Sequence, residues 1–319
     1  MTAPRFGLIV SGLKPQGMPP HEEFRRLGDR VEELGFDSVW VADRLASPYA
    51  GAPLLEGVVT AAAFAGFTGR LPIKLGVLVA PLRHPYLLAK QLATLDFLSG
   101  GRLEVGFGIG INPADYAAVG VSFRERGRRI DELIPALKAC WSTQPAEFHG
   151  RYYDFQDVWL EPGPVRPSGP PIWIGGTSEI ALARAARVGD GWLAYQVSAV
   201  QCGELVESLR RQLVAAGRDA AGFQIGILIP VHCRPDGNVA RREAQESFSR
   251  RWRREIPMAV IEEMCIVGSP DECLHKIDSF VAAGVQEFAL NPQAWSLDPV
   301  KDAEDVFASV VAPARQAAV

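Results

Sequence analysis

An eight-fold (β/α) barrel is the fold this sequence predicts, on three observations. Apolar, β-rich runs alternate with helical stretches eight times along 319 residues. Those runs are nearly continuous in apolar residues, the pattern of strands buried on both faces, which implies parallel pairing through right-handed helical crossovers. A chain of this length, 48% apolar and 22% charged, also has ample material for one large core. Two smaller domains would suit the length as well, but the unbroken alternation is met most economically by one barrel spanning 1–319.

The elements follow in order. "RFGLIVSG" (5–12) is the first strand, and "HEEFRRLGDRVEELGF" sets Phe24, Leu27, Val31 and Leu34 at helical spacing with Gly35 as the stop. "SVWVAD" (38–43) is the second strand, followed by an Ala-rich helix from Leu54 to about Phe67. "IKLGVLVA" (73–80) is the third, and Pro85 opens the next helix at its first position. "GRLEVGFGIGINP" (101–113) carries the fourth strand, with "RRIDELIPALKACW" as a helix beyond it. "IWIGG", "GWLAY", "FQIGILIPVH" and "EFALN" supply strands at 172–176, 191–195, 223–232 and 287–291, and a last helix runs from about Asp298 to Val311.

Two stretches exceed a bare barrel. Residues 142–171, with six prolines and several aromatics, predict a short hairpin and an extended loop after the fourth helix. Residues 234–268 predict a charged, largely helical insertion after the seventh strand; long βα insertions cover or shape barrel sites, so this one is the candidate lid.

Composition excludes several function classes. A net charge of -4 gives no electrostatic reason for nucleic acid or an anionic membrane as partner, and the basic runs at 124–129 and 250–255 read as solvated helix faces. No segment offers 18 apolar residues, and the N-terminus lacks a signal sequence, so a soluble cytoplasmic protein is expected. Five widely spaced cysteines without C-x-x-C predict neither a disulfide framework nor structural zinc. Five scattered histidines without H-x-H argue against a metal-dependent hydrolase, and Lys74 lies at the wrong end of its strand for a Schiff-base aldolase. No metal site is expected.

Three constellations carry candidate chemistry. Gly106, Gly108 and Gly110 alternate along one strand, which is the wrong geometry for a dinucleotide loop but puts three small residues on one face at the catalytic end of a barrel. Either something flat lies against them, or glycine merely fits the crowded interior. Asn112 and Pro113 then begin a short helix. In "PPIWIGGTSEIALARAARVGDGW", Gly175, Gly176, Thr177 and Ser178 precede a helix, so backbone N–H groups converge as in an anion site, though a capped tight turn reads the same way. Asp43 and Arg44 close the second strand, as site residues or as a surface ion pair.

Together these residues resemble the bacterial-luciferase-like flavin-dependent oxidoreductases, especially the branch using the deazaflavin coenzyme F420. The resemblance runs in order through "ELGFDSVWVADR", "LRHPYLLAKQLATLDFLSGGRLEVGFGIG", "ERGRRIDELIPALKACW", "PPIWIGGTSEIALARAARVGDGW" and "VGSPDECLHKIDSFVAAGV". It implies a tricyclic ring across the strand ends and a homodimer formed through barrel helices. It also implies a non-prolyl cis bond at Gly76-Val77, ring-lining residues Gly108, Ile109, Gly110 and Asn112, and a cofactor phosphate at Gly175, Gly176 and Thr177 near Tyr195 and Gln196. The implied activity is hydride transfer between F420 and a small organic substrate; the alternatives are an FMN-dependent monooxygenase of the same fold and a non-catalytic flavin-binding protein. Asp43, His84 and Tyr116 are the acid–base candidates.

The departures are specific. Arg44 stands where F420 relatives carry His, Ile111 where the sugar-phosphate dehydrogenase branch carries Glu, and Ser198 where that branch carries Lys, which argues against that particular activity.

Overall fold

The computed structural model describes residues 3–10, 19–45, 54–142, 144–292 and 298–317. Eight parallel strands close into a barrel: β1 (Arg5–Val10), β2 (Ser38–Val41), β3 (Ile73–Val79), β4 (Leu103–Gly108), β7 (Ile172–Gly175), β8 (Gly191–Tyr195), β9 (Gln224–Cys233) and β11 (Glu287–Asn291). Each pairs in parallel with the next in that order, and β11 returns to β1. The predicted barrel is therefore present. The end of the predicted first strand, 11–12, lies outside the described residues.

The first insertion contains the expected hairpin, β5 (Ala146–His149) antiparallel to β6 (Asp154–Val158). The second contains α8 (Gly237–Trp252), α9 (Met258–Met264) and a short strand not foreseen from the sequence, β10 (Ile266–Gly268), which pairs in parallel with the end of β9. Three residues are too few for a periodicity to register. This insertion has its own core, in which Ala240, Ala244 and Phe248 of α8 pack with Ile256, Ile261 and Cys265. The remaining barrel helices, among them α2 (Gly57–Phe67), α3 (Pro85–Leu98), α5 (Arg126–Ser142), α6 (Glu179–Val188), α7 (Ala199–Ala215) and α10 (Pro270–Ala282), wrap the sheet and share the main core. No described helix is long and apolar enough to cross a membrane.

Helix signals were legible because each has a local cause. Gly35 ends α1 (Pro20–Leu34) in the left-handed conformation, at φ 85°. Asn112 caps α4 (Pro113–Ala118), its side chain accepting from Ala114 N–H. Ser198 caps α7 with a full capping box to Gln201.

The barrel interior is layered. In the middle, Trp40, Trp173, Leu193, Ile9 and Ala289 pack together. Beneath them, at the N-terminal end, Lys74 Nζ is 2.9 Å from Glu104 and 2.8 Å from Glu287 and lies over both Trp40 and Trp173. Trp173 Nε1 donates to Glu104 at 2.7 Å. A fully paired ammonium at the closed end is a structural plug, which removes Lys74 as a nucleophile. The C-terminal end, where strands open into the loops, is the end left for chemistry.

Candidate active site

The floor of the barrel mouth is built by β3, β4 and β7. The Gly76–Val77 peptide is cis, and the β3–β4 register slips between Leu75 and Leu78. The slip turns Val77 toward β4 and β7. A Cβ on Gly106 would lie 2.4 Å from the Leu75 carbonyl and 2.8 Å from Val77, one on Gly108 2.7 Å from Val77, and one on Gly175 3.1 Å from it. The glycines are small because the isopropyl group of Val77 leans across them. Crowding, one of the two readings open at the sequence level, accounts for the alternation, and what it creates is a side-chain-free shelf around one half-buried valine.

Beside the shelf lies the turn at β7–α6. Gly176 adopts φ 125°, a conformation that L side chains rarely adopt, and its carbonyl accepts from Trp192 Nε1 at 2.7 Å. Because a trans peptide holds its C=O and N–H on opposite sides, this bond turns the Thr177 N–H away from Trp192. Ser178 caps α6, its side chain accepting from Ala181 N–H, and the helix adds its partial positive charge to the turn. Trp192 had no sequence signal for this role; it reads simply as a buried strand residue. On the neighbouring strand, Tyr195 is 46% exposed at the end of β8. Gln196 follows in the left-handed region at φ 55°. The Tyr195 phenol is pushed above its ordinary pKa chiefly by desolvation, against the charges of Arg251 and Arg44, which pull it down.

The three acid–base candidates are not brought together, and two are committed elsewhere. Asp43 does not pair with Arg44. Its side chain is 0% exposed and is gripped by Arg83 through both oxygens, at 2.8 and 2.9 Å, while Gly57 N–H and Val79 N–H donate to it at 3.0 Å each. Four donors occupy the carboxylate, so Asp43 ties the end of β2 to α2 and β3 rather than facing a substrate. Arg83 also meets Glu56, the α2 cap, and these carboxylates hold its guanidinium above its ordinary pKa against desolvation. The available signal was strand adjacency: neighbouring strands two and three of a barrel place positions 43 and 83 side by side. Tyr116 is 1% exposed, donates its hydroxyl to the Ile109 carbonyl and packs edge-on against Phe123. Burial pushes its phenol up to about 12, so it braces the turn after β4 and supplies no proton near neutral pH. His84 is exposed; its Nδ1 accepts from Tyr86 N–H at 3.3 Å as the α3 cap, and its ring meets Tyr153 edge-on. That bond leaves Nε2 to carry the proton of the neutral ring.

The ring-lining candidates form a contiguous edge. Ile109 is half-buried and Gly110 has φ 62°, where an added Cβ would meet Val79 at 2.6 Å. Asn112 donates to Asp115 at 3.0 Å as well as capping α4. Ile111 is 83% exposed. A separate cavity of 480 Å³ lined by Ala3, Pro4, His275 and Ala314 lies beside the start of β1, at the other end of the barrel.

A family model described as luciferase-like monooxygenase matches this chain over residues 5–287. The chain belongs to the luciferase-like monooxygenase family. Among its relatives, an FMNH(2)-dependent dimethylsulfone monooxygenase of Pseudomonas putida is 30% identical over 76% of this chain and 67% of its own. An F420-dependent glucose-6-phosphate dehydrogenase of Kineococcus radiotolerans is 31% identical over 80% of this chain and 82% of its own. In structure, an F420-dependent secondary alcohol dehydrogenase in complex with an F420-acetone adduct superposes with a TM-score of 0.83, covering 98% of this chain and 99% of that one at 19% identity, a likeness of fold. Luciferase-like relatives thus include both F420-dependent oxidoreductases and FMN-dependent monooxygenases.

Proposed function

We propose that this luciferase-like protein is a coenzyme F420-dependent oxidoreductase that transfers a hydride between the deazaflavin and a small organic substrate. The observation that carries the reading is the pairing, at the open barrel end, of a glycine floor crossed by the Val77 side chain with a turn whose backbone donors and helix dipole suit a phosphate. A planar tricycle bearing a phosphate-ended chain fits that pair of features. Val77, Gly108, Ile109, Gly110 and Asn112 would hold the ring, and Gly175, Gly176 and Thr177 the phosphate, with Tyr195 and Gln196 bordering it. When bound, the cofactor supplies the hydride chemistry; the protein orients the partner molecule and excludes water. His84 is the candidate proton donor, since its Nε2 is the acid–base atom not already committed to the fold. Asp43 and Tyr116 are assigned to positioning.

The preference for F420 rests on coverage: the sugar-phosphate dehydrogenase relative is matched over 82% of its length, the dimethylsulfone monooxygenase over 67%. FMN is the second reading, favoured by the comparable identity of that monooxygenase, 30%. Titrating the protein with F420, FMN and phosphate-free riboflavin tests both; strong binding that requires the phosphate is expected.

A homodimer is part of the same proposal. The outer face of α2 is apolar and small, with Val59, Ala62 and Gly66 exposed, and neighbouring α3 exposes Leu87 and Leu98, so the two helices present an apolar surface suited to a second copy. Sedimentation at twice the monomer mass is expected, and Leu87→Glu with Leu98→Glu shifts the protein to monomer.

A further inference from the structure

Cys233 closes β9 and stands opposite Gly268, the last residue of β10. Arg234 N–H donates to the Gly268 carbonyl at 3.1 Å, Ser269 then caps α10, and Cys273 N–H donates to the Ser269 carbonyl at 2.9 Å. The first turn of α10 is thereby seated on the end of β9, and helical side chains tilt toward the helix start. Cys273 is 0% exposed in the main core, and Cys233 packs against that core. Their sulfurs meet in a hydrogen bond that Cys273 donates. Spacing along the chain concealed this pair: 40 positions separate the two, and the whole insertion at 234–268, the candidate lid, lies between them.

The two thiols differ from each other and from the other cysteines. Cys233 is half-buried, and its sulfur lies 4.0 Å from the Ser309 carbonyl. Beside it is a cavity of 20 Å³ lined also by His232, Arg234 and Asp305, with room for about one water-sized molecule. The hydrogen bond from Cys273 and the charge of Arg234 favour the Cys233 thiolate against desolvation, so Cys233 titrates below its ordinary value, while the same bond and burial keep Cys273 protonated. Cys140, Cys202 and Cys265 are buried thiols that desolvation pushes up to about 11, 12 and 12. One accessible, thiolate-prone sulfur in contact with one buried thiol is the arrangement of a peroxide-sensitive pair.

We propose that hydrogen peroxide oxidises Cys233, that Cys273 resolves the product to a disulfide, and that this bond locks the base of the lid onto α10. The Cys233 thiolate attacks one peroxide oxygen; the O–O bond breaks and the departing hydroxide takes up a proton as water, leaving a sulfenic acid. The Cys273 sulfur then attacks that sulfur, an S–S bond forms, the S–O bond breaks, and the hydroxyl leaves as water with the Cys273 proton. Two electrons pass from the thiols to the peroxide, and an added dithiol reverses the step. The ring so closed contains α8, α9 and β10, and it lowers the entropy gained when the insertion opens locally. The inference does not depend on which cofactor the barrel mouth takes.

The test treats the purified full chain with hydrogen peroxide and maps its cysteines by mass spectrometry after alkylation without reduction. A disulfide between Cys233 and Cys273 is expected, with Cys140, Cys202 and Cys265 modified at least about tenfold more slowly, and dithiothreitol restores both thiols. Cys273→Ala leaves Cys233 to be trapped by dimedone as the sulfenic acid, and Cys233→Ser abolishes the peroxide-dependent modification of Cys273. Trypsin, for which the insertion offers Arg241, Arg242, Arg250 and Arg251, is expected to cut it at least about threefold more slowly in oxidised than in reduced wild type. In Cys233→Ser the cutting rate is the same with and without peroxide. A wild type that oxidises without linking the two cysteines, or whose five cysteines react at similar rates, overturns the pair. A disulfide that forms while trypsin cuts the insertion as fast as before overturns the lock.

Discussion

Asp43→Ala is expected to destabilise the protein by about 3 kcal/mol, the lower end of the cost of removing one partner from a buried ion pair, because Arg83 keeps its contact with Glu56. The side chain of Asp43 is 0% exposed and that of Arg83 12%, so water cannot take over the lost contacts. The Gly57 and Val79 N–H donors lose their acceptor at the same time. For a chain of this size the melting temperature falls by roughly 5 to 10 °C. An Arg83→Met companion separates the alternatives. If the clamp is the cause, the double variant loses clearly less than the sum of the two single ones, because both changes break the same Asp43–Arg83 pair. A single Asp43→Ala protein that melts within 2 °C of wild type, with its activity abolished, would instead make Asp43 a chemical participant and return it to the acid–base list.

The second large effect concerns the floor. Gly108→Ala puts a methyl group 2.7 Å from Val77 Cγ2, closer than carbon atoms tolerate, and β-branched Val77 has little rotamer freedom with which to withdraw. Replacing a strand glycine by alanine can gain up to about 1 kcal/mol through the unfolded state, whereas overpacking costs about 1 to 3 kcal/mol, so the clash wins. Val77 is displaced into the space assigned to the ring. Cofactor affinity is expected to fall at least tenfold, about 1.4 kcal/mol. Val77→Ala combined with Gly108→Ala restores most of it, since the second change removes the atoms involved. Wild-type affinity in Gly108→Ala alone would mean that the shelf does not bear the ring.

These two cases also mark what the sequence could and could not disclose. Strand positions were legible because strands buried on both faces are written as unbroken apolar runs, and helix ends because Gly35, Asn112 and Pro85 act locally. The alternating glycines announced a special surface, but their reason lay in a residue of another strand: Val77 is one apolar letter among seven in β3, and only the register slip aims it at Gly106, Gly108 and Gly175. Asp43 shows the same limit. Its neighbour in sequence, Arg44, was the evident partner, yet successive strand residues point to opposite sides, and its ion pair is made with a residue 40 positions away. Tyr116 follows the same limit: its burial, which decides between bracing and proton transfer, depends on the turn after β4 whose Ile109 carbonyl accepts its hydroxyl.

The most direct measurement is the titration of the purified protein with F420 and, separately, FMN, followed by quenching of tryptophan emission; Trp40 and Trp173 beneath the shelf and Trp192 on the phosphate turn are well placed to report it. Saturable binding of F420 in the micromolar range or tighter, about 8 kcal/mol or more, is expected, with FMN at least tenfold weaker. Preference for FMN would contradict the deazaflavin assignment and redirect the protein to oxygen-dependent chemistry, and binding of neither would contradict the phosphate site at Gly175, Gly176 and Thr177.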